Sequence, residues 1–325
     1  MADTFYNQIS ANKRNSFLLT LVIVILFALL GFSIGYAIGG DVVSALVVMG
    51  ITLAVGAALG AGSFYKGDSL VLAVSGAKEV DATSAPRLMN VIQELSIAAN
   101  VPMPKVYVID DTAPNAFATG RDPQHASVAI TTGLLQKLDR EELQGVMAHE
   151  LSHVRNFDIR FALIVGVLVG SIALLADFFL RFTFWGGARR SRSDRDGGAG
   201  GLQAILFVVA IVLAILAPIV SRFVQLAINR QREYLADASS VGLTRNPYGL
   251  ERALAKISAD PEVLEVANRA TQHMYFTNPI KKFEERASGL FSTHPATVDR
   301  INRLRELTGE QPLDTAEAAQ LAGLD

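Results

Sequence analysis

The sequence has no cysteine, which excludes disulfide frameworks, cysteine-type zinc sites, iron–sulfur clusters and thiol nucleophiles. A chain without thiols tolerates either redox compartment. Charged side chains are scarce at 18% of 325 residues, below a globular norm of about 25%, and half of the chain is apolar. That balance excludes a disordered or fibrous protein. Neither sign of charge dominates, with 29 basic against 31 acidic side chains, so no electrostatic footprint for nucleic acid is present. Internal repeats are absent, and the glycine-rich stretch at 197–201 is the single flexible-linker candidate.

The apolar residues are concentrated. Phe17 to Ile38 and Val42 to Gly62 run without a charge and are each long enough to span a bilayer, which takes about 20 apolar residues. Lys13 and Arg14 before the first run also suit a secretory signal, but a signal core is only about 7–15 residues and is not normally followed at once by a second span. An uncleaved membrane hairpin turning at Gly39, Gly40 and Asp41 is expected. Two further runs, Phe161 to Ala176 and Leu202 to Val220, read as spans or as a pair of buried or interfacial helices. The third run needs residues up to Phe179, which brings Asp177 near the membrane with Arg181 one turn on as a partner. Between these runs, ARRSRSDRDGGAGG places Arg189, Arg190, Arg192 and Arg195 opposite the N-terminus, which the positive-inside rule disfavours. Lys13, Arg14, Lys66, Lys78, Arg155, Arg160, Arg230 and Arg232 weigh the other way. The majority puts the N-terminus and the polar segments in the cytoplasm, with two to four spans in the cell membrane.

Four segments follow: a transmembrane hairpin at 1–62, a first polar portion at 63–158, a second hydrophobic pair with its basic linker at 159–223, and a second polar portion at 224–325. The expected fold class is mostly α with a small β-sheet. Pro86 to Ala99 spaces Leu88, Ile92, Leu95 and Ile97 or Ala98 as a helix, while PKVYVID, NAFATG and SVAIT are short β-rich runs bounded by turn residues. Helices are also expected at Pro247 to Ser258 and Ala296 to Leu307, with an irregular stretch near Met274 to Thr293.

The chemistry is carried by MAHELSHVRNFD. His149 and His153, four apart on a helix, project from one face and can both reach one metal ion. Asp139 as N-cap with Glu142 makes a capping-box pattern, and Leu138 with Leu143 a hydrophobic staple, so the helix is well specified. Glu150 can take a proton from water at an open metal position as general base. A catalytic zinc needs a third ligand. Glu233 in NRQREYLADASS supplies one, with Asp237 on the same face to accept the outer ring N–H of a ligand histidine. The alternative is a solvated acidic face neutralised by Arg230 and Arg232. The histidines precede the second hydrophobic pair and Glu233 follows it, so two crossings or none both keep the ligands on one membrane side.

HELSH, EYLAD and STHPATVDRINRL, together with the placing of the hydrophobic segments, resemble the HtpX-type membrane zinc endopeptidases, relatives of the CAAX prenyl endoproteases. The resemblance implies a gluzincin-like domain facing the cytoplasm, one zinc ion on His149, His153 and Glu233 with Glu150 as base, and a role in membrane-protein quality control. Its substrates would be unfolded or damaged proteins at the lipid bilayer. It also draws in Asn115 and Ala116 as a strand that binds substrate backbone, against a plain edge strand, and His294 as an oxyanion donor, against a helix cap. Tyr234 is a second oxyanion candidate. His125 and His273 read as solvated. The basic linker is longer than the tight turn such a family suggests.

Three rival functions stand beside this one. An intramembrane protease is disfavoured by the many charges of DREELQGVMAHELSHVRNFDIR. A prenyl-processing protease would need more spans to enclose a chamber. A non-catalytic scaffold with a structural zinc predicts four protein ligands and no open position.

Overall fold

In a computed structural model, residues 5–181, 183, 199–262, 264, 276 and 295–313 are described. The basic linker, His273 and His294 lie outside them. The chain forms two compact units, one of residues 13–63 with 163–228, the other of residues 1–12, 64–162 and 229–325.

The first unit is built from apolar helices. α1 (Phe5–Gly39) and α2 (Val42–Val74) form a hairpin that turns at Gly40, whose φ of 78° suits glycine, and Asp41 caps α2 by accepting from Ser44 N–H at 2.9 Å. The helices touch closely where Gly35 faces Ala45 and Gly31 faces Thr52. α6 (Asp158–Arg181) and α7 (Ala199–Thr244) contribute Val165, Ile172, Phe179, Ala210 and Ala214 to a core shared with Ile23, Phe27 and Leu30. Large apolar side chains such as Ile25, Leu29, Val47 and Ile51 point outward, as side chains facing lipid do. Thr20–Gly39, Val42–Val74, Asp158–Arg181 and Phe207–Thr244 are each long and apolar enough to cross a membrane. α6 reaches Arg181, whose Nε donates to Asp177 at 2.8 Å.

The second unit holds a mixed sheet, β1 (Lys78–Glu79), β2 (Lys105–Ile109), β3 (Ala116–Gly120) and β4 (Ala126–Thr131), in the order β1-β2-β4-β3. β2 and β4 are parallel and the other pairs antiparallel. Both faces are covered. Val106, Val128 and Ile130 belong to the main core with α3 (Pro86–Ala99), while Phe117 and Ala129 meet Val71 and Leu72 at the end of α2. This explains why β3 and β4 are buried throughout instead of alternating. In α3 the buried stripe is Leu88, Val91, Ile92, Leu95, Ser96 and Ala99. Ile97 and Ala98, the two alternatives that spacing offers for its end, are both exposed, Ile97 at 75%, and Ala99 takes the buried place.

After the short α4 (Thr132–Lys137) comes α5 (Arg140–Arg155), which carries HExxH. Its capping box is complete: Asp139 accepts from Glu142 N–H at 2.9 Å, and Glu142 accepts from Asp139 N–H at 2.8 Å. α8 (Pro247–Ala259) crosses α5 where two glycines let the backbones meet. α9 (Thr297–Thr308) packs against α8, and Arg305 donates to Glu251 at 2.6 Å.

A methyl group on Gly145 would stand 2.6 Å from the Leu250 nitrogen and 2.8 Å from its Cα. In an exposed helix, Gly→Ala stabilises by about 1 kcal/mol. Here the sign reverses: Gly145→Ala is expected to cost about 1–3 kcal/mol by forcing α5 and α8 apart. Thermal unfolding of the detergent-solubilised protein checks this, and an unchanged or raised Tm would contradict the contact.

Candidate active site

α5 and α7 bring the chemistry together. His149, Glu150 and Ser152 are buried on α5, and Glu233 and Asp237 are buried one helical turn apart on α7. A solvated acidic face is therefore not what forms, and Arg232 pairs with Asp158 at 3.4 Å. Ser240 of α7 donates to the Gly145 carbonyl at 2.8 Å, locking the two helices side by side.

His149 Nε2 and His153 Nε2 lie 3.1 Å apart. Glu233 oxygens lie 3.5 Å from each of them. A tetrahedral zinc with bonds near 2.05 Å separates its ligand atoms by roughly 3.3 Å, so these spacings suit one metal ion. The outer ring nitrogens are both occupied: His149 Nδ1 lies 2.9 Å from Asp237 Oδ1, and His153 Nδ1 lies 3.1 Å from Asp158 Oδ2. Each Nδ1–H donates outward, which turns both Nε2 lone pairs toward the same point. The donor chemistry and spacing fit a metal, and His149, His153 and Glu233 could hold it.

Arg300 of α9 completes the site. It is 1% exposed, and its guanidinium makes a two-pronged contact with Asp237, Nε to Oδ2 at 2.9 Å and Nη2 to Oδ1 at 2.7 Å. Nη1 reaches Glu233 at 3.5 Å and donates to the Phe276 carbonyl at 3.2 Å. The Phe276 ring meets His149 edge-on, with centroids 4.9 Å apart.

Burial alone would depress both histidines, but the carboxylates of Asp237 and Glu233 overcome it and raise His149. Against the same burial penalty, Asp158 and Glu233 push His153 up to about 10. Glu150 is raised above the usual carboxylate range, chiefly by burial, and the neighbouring histidines offset part of that shift. A cleft is lined by Ala118, Glu150, His153, Asp158, Arg232 and Glu233, among others.

The chain matches the profile of peptidase family M48 over residues 82–308. It belongs to peptidase family M48. Relatives described as "Protease HtpX homolog" are 42% identical in Listeria monocytogenes, 41% in Streptococcus uberis and 42% in Ligilactobacillus salivarius, each over 93% of this chain and 99% of the relative. The crystal structure of S. mikatae Ste24p aligns with a TM-score of 0.50 at 19% identity, over 87% of this chain and 67% of that one, which shows a shared fold. With its four apolar helices, the protein is a multi-pass membrane metalloprotease of the M48 family.

The other sequence-derived M48 candidates fall as follows. Asn115 is buried and bound to Thr131, its N–H donating to Thr131 Oγ1 at 2.9 Å and its carbonyl accepting from Thr131 N–H at 3.0 Å. Ala116 sits at the edge strand, where its N–H donates to Asn115 Oδ1 and its carbonyl accepts from Phe276 N–H at 2.7 Å. Tyr234 stacks on Arg303, 3.5 Å from guanidinium carbon to ring centroid, and does not line the cleft. His125, read as solvated, is half-exposed with Asp122 Oδ1 2.7 Å away. Asp158, Arg232 and Arg300 escaped notice as site residues. Arg300 lay within STHPATVDRINRL, and Asp158 five residues past His153, but charged residues at a helix end or face read first as solvated.

Two expectations follow. The neighbouring carboxylates raise the proton affinity of both histidines, His153 up to about 10, so a metal that binds their Nε2 atoms competes with a proton. Apparent zinc affinity should therefore climb with pH, about tenfold per unit per proton released, and be weakest in acid. Calorimetric zinc titration in two buffers between about pH 6 and about pH 8 counts that proton, and a flat affinity would exclude it. Arg300→Met leaves Asp237 without its cation and is expected to cost about 3–5 kcal/mol of folding stability. Denaturant unfolding of the zinc-loaded protein measures the loss, and a change below about 1 kcal/mol would make the pair dispensable.

Proposed function

We propose that this protein is a zinc-dependent endopeptidase that hydrolyses misfolded or damaged membrane proteins at the cytoplasmic face. The observation that carries the reading is the convergence of His149, His153 and Glu233, with the buried Glu150 lining one cleft together with His153 and Glu233. Zinc is the metal best suited to two imidazoles and a carboxylate at these spacings. When bound, it supplies Lewis acidity that polarises the scissile carbonyl and lowers the pKa of water to about 7.

The side chains divide the remaining work. Glu150 takes the proton of the attacking water as the new C–O bond forms, and delivers it to the amine nitrogen as the C–N bond breaks. Its raised proton affinity suits both transfers, because a carboxylate of ordinary acidity would hold the proton too weakly to collect it. Asp237 and Asp158 fix the histidine tautomers, and Arg300 holds Asp237 in place. Asn115 and Ala116 belong to the substrate-binding strand in this reading, and His294 is the oxyanion donor. The cytoplasmic orientation is supported by the basic residues flanking the apolar runs.

Glu150→Gln tests the assignment. The variant is expected to keep one zinc per chain and to lose at least about a hundredfold in cleavage of an unfolded protein such as casein, while chelator abolishes the wild-type activity. Undiminished cleavage would remove Glu150 as base. Zinc without cleavage in either protein would favour a structural metal.

A further inference from the structure

Arg232 has no role in the chemistry above, yet it is 4% exposed and lines the cleft beside Glu150, His153 and Ala118. A guanidinium carries five N–H donors. Among the described residues it has two polar contacts, both with Asp158 and both 3.4 Å long: Nε with Oδ1, and Nη1 with the backbone carbonyl. Nε makes no hydrogen bond of acceptable geometry. Phe161 packs its ring 4.7 Å from the guanidinium carbon, which holds the group without satisfying its donors. Arg300, buried in the same site, has close contacts of 2.9 and 2.7 Å. Buried donors left this poorly matched are costly unless an acceptor arrives.

The charge balance identifies the kind of acceptor. The buried carboxylates of the site are Glu150, Glu233, Asp237 and Asp158, and they face Arg232, Arg300 and, when loaded, a divalent ion. These charges cancel. An acidic ligand would leave a net negative charge in a desolvated cleft, whereas a neutral acceptor fills the free donors at no electrostatic cost. Every unfolded polypeptide offers such an acceptor at each residue. Ile159 and Ala162 also line the cleft and give it apolar wall, which suits a peptide chain.

We propose that Arg232 is a substrate-binding residue whose guanidinium donates to a backbone carbonyl of the bound peptide. The inference rests on the endopeptidase reading. It gives the enzyme a grip on the main chain that is indifferent to side-chain sequence.

The test uses the zinc-loaded Glu150→Gln protein in detergent, which binds without cutting. The probe is a fluorescent, end-blocked peptide without acidic residues, taken from a protein that the wild type cleaves, and binding is read by anisotropy. Adding Arg232→Gln is expected to raise Kd at least tenfold at unchanged zinc stoichiometry, and Arg232→Lys to restore part of the affinity. Equal affinity in all three proteins would overturn the proposal. So would a loss confined to peptides with acidic side chains or a free carboxylate, which would make Arg232 an anion receptor. Loss of zinc from both Arg232 variants would make it a prop for Asp158 and His153 instead. If the Glu150→Gln parent binds no peptide and the wild type cleaves none, the endopeptidase reading falls, and this proposal with it.

Discussion

The pairing of Arg300 with Asp237 is the contact on which the site turns. An arginine and an aspartate taken out of water together are tolerated only when their geometry is close and their remaining donors are met. Here the guanidinium grips both oxygens of Asp237, and its third nitrogen holds the Phe276 carbonyl. Asp237, so fixed, holds the His149 ring from behind, and Phe276 holds it from the side. The same pair ties α9 to α7. A residue far along the chain thereby sets the direction of the first HExxH histidine.

α5 has to be both rigid and closely approached. Its N-terminus is locked by reciprocal capping, and Lys256 reaches the buried Glu142 at 2.7 Å from α8. Close approach comes from Gly145, where α8 meets the helix backbone and α7 reaches its carbonyl through Ser240. Glycine lowers helix propensity at this position, and the packing of two neighbouring helices outweighs that deficit. Precision at His149 and Glu150, one turn further on, depends on this packing.

Much of the scaffold was legible because its signals are local. Asp139 and Glu142 announced α5, the turn residues around KVYVI, AFATG and SVAIT announced three strands, and the long uncharged runs announced the apolar helices. β1 has two residues and α4 has six, too few for a period to emerge. Ile97 misled because spacing alone does not say which of two flanking stripes is covered. His149, His153 and Glu233 were visible through their spacing and a resemblance, and the fold brings them together. Asp158, Arg232 and Arg300 were not, because a charge destined for burial looks in sequence like one destined for water, and only the partner at long range distinguishes them.

The edge of β3 bears on a hazard of a different kind. An exposed strand edge is a template for other strands, and any protease meets extended peptide segments. Ala116 spends its N–H on Asn115 and its carbonyl on Phe276. This takes Ala116 out of the ladder that a foreign strand would need. The edge beside α5 is thereby a shorter template for aggregation than its length suggests.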